Sequence, residues 1–596
     1  MRGREAGASG NGRGAARWGE PLIGSPLKSS ALLLLVLLIG GAVVWWVRPA
    51  PVGVPEPARS LVLDTVLARV QAQSGRRDWT LYSGDYANRR WSELAAIDRA
   101  TVKHLTRRFS IPTGAGKKGS LQTTPLVADG MMYLTSPVGH VVAWDLRRGR
   151  AAWRFHHSPT GELLCCGPSN RGLALGHGHV YLGTLDAKLI ALDAATGALV
   201  WTAAVDSAAL GYSVTMAPLV VDSLVIVGTS GAEFGVRGHV SAFRARDGTL
   251  AWRRYTIPSP EEGGWWGRWS DTTSWGAPLH RDLARERADS ARYADSWRRG
   301  GGSVWTAPAY DPPSGLLYVA VGNPAPSFDP SERPGDNLYT ESLLALRAAT
   351  GDIVWAHQFI PHDSWDMDPA SPPILIPHRD GLAVAEAGKI GQLFVLDAGS
   401  GRLLARSAPL VPQANLFARV NERRTVIAPG PNGGVSWSPA AWSPVTGWVY
   451  VVALHQPMWF QLEHLPWQRG LPWYGGITGR GQRREEFGTI SAVEPATGRI
   501  AWQVRTRWPL VGGVLATAGG LIFTGESDGW FRAYDAATGA RLWQYRCKAG
   551  VNAPPIAFEV DGEQMIAVAV GGNTQQGSRL GDRIEVFALD RTESRP

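Results

Sequence analysis

A recurring phrase constrains this chain's fold more than any other feature. A short apolar strand leads into Ala-x-Asp or a close variant, a turn ends in Gly, and a Trp follows a few residues later. Copies stand at 143–153 (AWDLRRGRAAW), 191–201 (ALDAATGALVW), 242–252 (AFRARDGTLAW), 345–355 (ALRAATGDIVW), 492–502 (AVEPATGRIAW) and 533–543 (AYDAATGARLW). A degenerate copy, VLDAGSGRLLA, spans 395–405. The closing Trp residues are 48, 51, 103, 147 and 41 residues apart, so whole units separate them. Asp-x-x-Thr-Gly between two apolar strands is hairpin-turn chemistry. Further strand pairs such as HVYLGT and LVIVGT complete units of about four strands per 40–50 residues, the arithmetic of a propeller blade. The expected fold is all-β: an eight-bladed propeller over 78–590, with the repeated Trp docking one blade on the next.

Length supports a large repetitive core. The chain has 596 residues, whereas single compact cores stop growing near about 250–300. Its 27 Trp, 14 Tyr and 14 Phe exclude a solvated, disordered chain, and Trp in excess over both other rings fits one Trp per unit. Three cysteines exclude a disulfide scaffold, and no C-x-x-C-H haem-attachment motif occurs. The net charge of +9 is scattered in pairs such as Arg147-Arg148 and Arg298-Arg299 without a basic run, so nucleic acid is not an expected partner.

The N-terminus speaks to the compartment. Residues 1–30, with Arg2, Arg4, Arg13, Arg17 and Lys28, read as a basic cytoplasmic tail. The uncharged run 31–47 (ALLLLVLLIGGAVVWWV) has 17 apolar residues, enough at about 1.5 Å each to reach across a bilayer. It reads as one transmembrane signal anchor, with Trp45-Trp46 at the far interface. The run ends in Trp-Trp-Val-Arg rather than a small-x-small cleavage site, which favours an uncleaved anchor over a signal peptide. Residues 48–77 form a linker that opens on the stiff PAPVGVPEP. The expected location is the cytoplasmic membrane, single-pass, with the propeller in the periplasm. One stretch, 258–299, interrupts the repeat with Trp265, Trp266, Trp269 and Trp275 and a helix-compatible run over 282–297; a cap near the propeller's mouth is expected.

Four phrases go beyond a scaffold. Cys165 and Cys166 are adjacent, and about 3.8 Å between neighbouring Cα atoms is short for a disulfide. Two buried thiols and an oxidised vicinal pair both remain open; Cys547 reads as buried rather than reactive. Glu233 in GTSGAEFGVRG and Asn323 in AVGNPAP each follow an apolar strand. A surface acid and an ordinary turn Asn are the plain readings of these two. Asp363, Asp366 and Asp368 crowd into PHDSWDMD, where like charges repel unless a cation or a shared proton holds them. Glu233, Asn323 and Asp366 together offer the oxygen donors a hard ion such as Ca²⁺ prefers.

In order along the chain, DWTLYSGDYANRRWSEL, QTTPLVADG, CCGPSNRG, TSGAEFGVRG, GGGSVW, VGNPAP, RPGDNLYT, PHDSWDMD, LATAGGLIFTGESDG and VNAPPIAF resemble the pyrroloquinoline quinone (PQQ)-dependent, or quinoprotein, alcohol dehydrogenases. The resemblance covers about 78–590 and implies an eight-bladed propeller with PQQ near its axis. It implies a vicinal disulfide at Cys165-Cys166 on one quinone face and Trp305 stacked on the other. Arg171, Thr215, Ser230, Gly231, Ala232, Ser303 and Lys389 match positions around the cofactor. Glu233, Asn323 and Asp366 match the metal ligands, and Asp366 also the catalytic base, with Lys389 near the quinone oxygens. Asp368 matches the extra Asp of lanthanide-using relatives, so Ca²⁺ and a lanthanide are both implied candidates.

Three positions depart from the alcohol-oxidising pattern: Gln122 for a frequent Glu, and Val511 and Asn573 for frequent Trp residues. These, with the WDMD phrase, lean toward membrane-bound sugar and polyol dehydrogenases, whereas the Cys-Cys pair leans toward the alcohol enzymes. The leading expectation is oxidation of a primary or secondary alcohol or polyol, with electrons leaving to a separate cytochrome c or membrane quinone. An aldose dehydrogenase and a non-catalytic envelope scaffold are the alternatives. A scaffold explains the repeat and the anchor but not Glu233, Asn323, Asp366, Lys389 and Trp305 each in its expected phrase.

Overall fold

The computed structural model describes residues 77–159, 167–379 and 381–590. The basic tail, the expected span 31–47, the linker to residue 76, and Cys165 and Cys166 lie outside the described residues. Among those described, no helix is long and apolar enough to cross a membrane.

The fold is an all-β propeller. Eight sheets of four or five strands succeed one another along the chain, and a ninth, of three strands, stands beside them. Most sheets are antiparallel meanders; 309–311, 316–321, 342–347 and 353–358, for example, pair in chain order. The ring closes where the early strand Leu105–Pro112 pairs with the last, Arg583–Leu589, so both ends of the propeller share one sheet.

The repeated phrase forms the joint between neighbouring sheets. Each Trp indole N–H donates to a backbone carbonyl in the next sheet: Trp153 to Ala194, Trp201 to Ala245, Trp252 to Ala348, Trp355 to Ala398, Trp502 to Ala536 and Trp543 to Leu105, all within 2.9–3.1 Å. In the first five the acceptor opens the next turn and the ring lies on that turn's Gly; Trp543 instead meets the start of the strand Leu105–Pro112. Gly401, at φ +71°, has no room for a side chain: a Cβ there would stand 2.5 Å from the Trp355 ring. All six full copies and the degenerate one also carry a register shift at their first residue or the next, a bulge that increases local twist.

Two joints are built differently. Ala405 replaces Trp in the degenerate copy, and there the Arg406 backbone closes on Gly498 instead. Gly149, at φ +64°, faces open space. Gly149→Ala is therefore expected to cost only the left-handed penalty of about 1–2 kcal/mol. Gly401→Ala is expected to cost about 1–3 kcal/mol more, because Trp355 must shift as well. Thermal unfolding of the two variants side by side checks the difference.

Cys547 is buried, and burial pushes its thiol up to about 12, which agrees with a structural thiol. The 258–299 stretch departs from the expected cap. Its helix is short, Leu283–Asp289, and no residue of the stretch lines the axial cavity. It packs instead against 335–336: Arg281 pairs with Glu286 and Asp336 at 2.6 and 2.7 Å, all three side chains buried. Beside it lies a second cavity, lined in part by His362, Ser364 and Trp365. A second insertion, 456–486, whose strands Met458–Leu462 and Gly476–Arg480 join Thr425–Ile427 in the three-stranded sheet, lines no part of that cavity either but bonds to the backbone of the Glu233–Phe234 loop on its wall.

Candidate active site

One end of the propeller gathers the candidate side chains from four sheets. Arg171 lies in the strand Ser169–Gly176, and Thr215 lies in the connection leaving that sheet. Ser230 to Glu233 follow the strand Leu224–Gly228, and Asn323 follows Leu316–Val321. Ser303 and Trp305 precede Ala309–Asp311, Asp366 and Asp368 precede Ile374–His378, and Lys389 follows Gly381–Ala387. All of these except Ala232 line one cavity. Ala232 stands just behind the wall, its N–H donating to Ser303 Oγ at 2.9 Å.

The anionic half of the cavity is organised around Lys389. Its Nζ lies 2.8 Å from Asp366 Oδ1 and 3.2 Å from Asp368 Oδ1. The contact to Asp366 is close but poorly angled for a hydrogen bond, so charge carries it. Asp368 is held at both oxygens, since its Oδ2 accepts from Trp305 Nε1 at 2.9 Å, and this fixes the indole plane. Burial raises the Asp366 carboxyl well above the usual range, and the Asp368 charge adds to the rise while Lys389 opposes it. The Asp366 backbone is left-handed, φ +62°, with its N–H donating to Asp363 Oδ2 at 2.8 Å. Asp363 is pushed up to about 6 by burial, against the pull of the Arg333 guanidinium.

The other half is cationic and hydroxylic. Arg171 donates to Thr215 Oγ1 at 2.9 Å, and Thr215 Oγ1 lies 2.7 Å from Ser230 Oγ. The guanidinium sits 4.8 Å from the Trp305 ring centre and 5.4 Å from that of Trp437. A planar anionic guest therefore meets a cation, hydroxyls and flat aromatic walls together, as suits PQQ with its carboxylates. Gln122 Oε1, buried on the same wall, has no hydrogen-bond partner, so an acceptor stands ready for a guest's donor.

The donor set also suits a hard cation. Asn323 Nδ2 donates to Ser327 Oγ and to the Pro324 carbonyl, at 2.9 and 3.0 Å, leaving the side-chain oxygen as the atom to ligate. Glu233 and Asp366 add carboxylates on the same cavity. Among the described residues no group of three or more His, Cys, Asp or Glu is arranged to hold an ion. The third donor here is an amide.

Several residues escaped the sequence. Ser213, Asn432, Ser436, Trp437 and Gln575 also line the cavity, and no motif marked them; Ser169, on the same cavity, stood in CCGPSNRG without being singled out. Glu341 is fully buried, neither carboxylate oxygen has a hydrogen bond, and burial followed by the Asp363 charge raises it well above the usual range. Of the three departures from the alcohol-oxidising pattern, only Gln122 reaches the cavity. Val511 is buried in the core, and Asn573 acts through a turn, its side chain accepting from the Gln576 N–H.

The family model for the glucose/ethanol/alcohol dehydrogenase β-propeller domain (PQQ) matches residues 79–412 and 477–566. The chain belongs to the PQQ-dependent alcohol dehydrogenase family. It is 33% identical over 509 residues to quinoprotein alcohol dehydrogenase PedH of Pseudomonas putida, covering 81% of this chain and 84% of the relative. Quinohemoprotein alcohol dehydrogenase ADH IIB of Pseudomonas putida is 33% identical over 579 residues, 90% of this chain and 81% of that one. Among solved structures, a europium-containing methanol dehydrogenase superposes with a TM-score of 0.78 at 29% identity, covering 88% of this chain and all of the other. This PQQ-dependent alcohol dehydrogenase is thus an oxidoreductase.

Proposed function

We propose that the chain oxidises a primary or secondary alcohol or polyol to the aldehyde or ketone, in a propeller whose eight blades are the eight larger sheets. The observation that carries this reading is the convergence of Asp366, Lys389, Glu233, Asn323 and Arg171 on one cavity. Bound PQQ supplies the two-electron acceptor and the ion a Lewis acid. Asp366 takes the hydroxyl proton onto a carboxylate oxygen, and its upward shift brings that oxygen nearer the basicity a general base needs at working pH. Lys389 keeps part of Asp366 ionised and faces the cofactor's oxygens. Glu233, Asn323 and Asp366 hold the ion, Ca²⁺ or a lanthanide, and Asp368 adds negative charge beside it while orienting Trp305. Arg171, Thr215, Ser230, Gly231, Ala232 and Ser303 hold the cofactor's polar edge. Trp305 would offer the cofactor one flat wall, and the resemblance assigns its other face to Cys165 and Cys166.

Electrons then leave to a separate cytochrome c or membrane quinone, and the 31–47 anchor tethers the propeller to the periplasmic side of the cytoplasmic membrane. Amide side chains at the cavity, Asn432 and Gln575, with Gln456 bonded behind Asn432, favour a second reading in which the substrate is a polyol or aldose. Dye reduction by the PQQ-loaded protein across alcohols, polyols and aldoses, with Ca²⁺ and La³⁺ in parallel, tests both. Turnover of simple alcohols alone removes the second reading, and no PQQ-dependent turnover of any of them removes the first as well.

A further inference from the structure

We infer that residues 463–475 form a strap that positions Glu233 and Asn323 against one another and so sets how tightly the ion is held. The inference rests on the ion-binding reading of those two residues. The strap lies within 413–476, the stretch between the two parts that match the family model.

Its contacts fall on both donor loops. On the Glu233 side, the Trp473 N–H donates to the Glu233 carbonyl at 2.5 Å, and the Trp467 indole donates to the Phe234 carbonyl at 2.9 Å. Gly235 is seated beneath both rings: a Cβ there would stand 2.7 Å from Trp467 and 2.9 Å from Trp473. Arg299 lies over the same two rings, 5.4 and 5.8 Å from their centres. On the Asn323 side, the Tyr474 carbonyl accepts from the Phe328 N–H at 2.8 Å, and His464 pairs with Asp329 at 2.7 Å. That loop is the one whose Ser327 fixes the Asn323 amide. The strap is itself closed by Trp473 Nε1 donating to the Leu465 carbonyl at 2.7 Å.

Upstream, the Glu233 loop is already pinned, by Ser303 on the Ala232 N–H and by the paired Ser213 and Ser230 backbones. The strap pins its downstream side and ties it to the Asn323 loop. Two oxygen donors from different sheets thereby gain a fixed separation, which an ion reads as affinity; loss of such outer contacts typically costs about 10–100-fold.

The test is calorimetric titration of Ca²⁺ and La³⁺ into the PQQ-loaded full chain. Trp467→Phe keeps a ring over Gly235 but removes the donor to Phe234, and is expected to raise Kd about 10-fold or more for both ions. Gly235→Ala, which displaces both rings, is expected to raise it further. Val426→Ser, on the exposed side of the three-stranded sheet, is expected to leave Kd unchanged. A merely structural role would lower the thermal midpoint of the ion-free protein and leave Kd alone, and that result in Trp467→Phe overturns the inference. If Gly235→Ala does not fold, Trp467→Phe decides. A wild-type protein that takes up PQQ but neither ion overturns the ion-binding reading and the inference together, whereas normal wild-type binding with an unchanged Trp467→Phe overturns the inference alone.

Discussion

Asp366→Asn is expected to leave a folded protein that still takes up PQQ and turns over alcohol about 10²–10⁴-fold more slowly, the span a positioned general base contributes. The exchange is nearly isosteric, so the side-chain oxygen that faces the ion is kept while the basic one is lost. Stability points the other way from activity. Burial raises the Asp366 carboxyl, which means that the folded protein disfavours its charge, and a neutral amide removes that cost. A thermal midpoint equal to or above wild type, measured together with dye-reduction turnover, therefore separates lost chemistry from lost folding. Turnover within a few-fold of wild type would assign the proton to another group, for which Asp368, buried on the same cavity and sharing Lys389, is the first candidate.

What the sequence made legible follows from how local each feature is. The joints between sheets could be read in advance because turn, Gly and Trp lie within about a dozen residues, and their partners repeat the same phrase. Asp366, Asp368 and Lys389 stood in dense phrases, yet only folding brings Lys389 to 2.8 Å from Asp366. Nothing near Glu341 signals a buried acid, since its neighbours Thr340 and Ser342 read as an ordinary strand start. The strap and its three-stranded sheet were illegible for a similar reason. Thr425–Ile427 finds its partner strand about 30 residues on, and Trp467 and Trp473 act on a loop more than 230 residues back. The Trp-rich 258–299 stretch misled because aromatic density reports burial, not the cavity against which the burial happens.

Lys389→Met is expected to move the acidic limb of the kcat/KM–pH profile upward and to lower the plateau. Lys389 is the one cation facing both Asp366 and Asp368, and its charge is what pulls the Asp366 carboxyl down against burial and Asp368. Without it, the proton stays on Asp366 to higher pH, the basic fraction at any given pH falls, and the limb shifts toward alkali. The pairing is reciprocal: the two carboxylates raise Lys389 although burial, the largest influence, lowers it, so the ammonium persists across the working range. Removing one member of a buried ion pair typically costs about 3–5 kcal/mol when the partner stays charged. Protonation of Asp366 or occupancy by the ion offsets that loss, so the ion-free variant is expected to be most destabilised at alkaline pH, where both acids ionise. Lys389→Arg keeps the charge and is expected to hold the limb near its wild-type position even if turnover falls. Profiles for the two variants that coincide with wild type would detach Lys389 from the base and leave Asp366 tuned by burial and Asp368 alone.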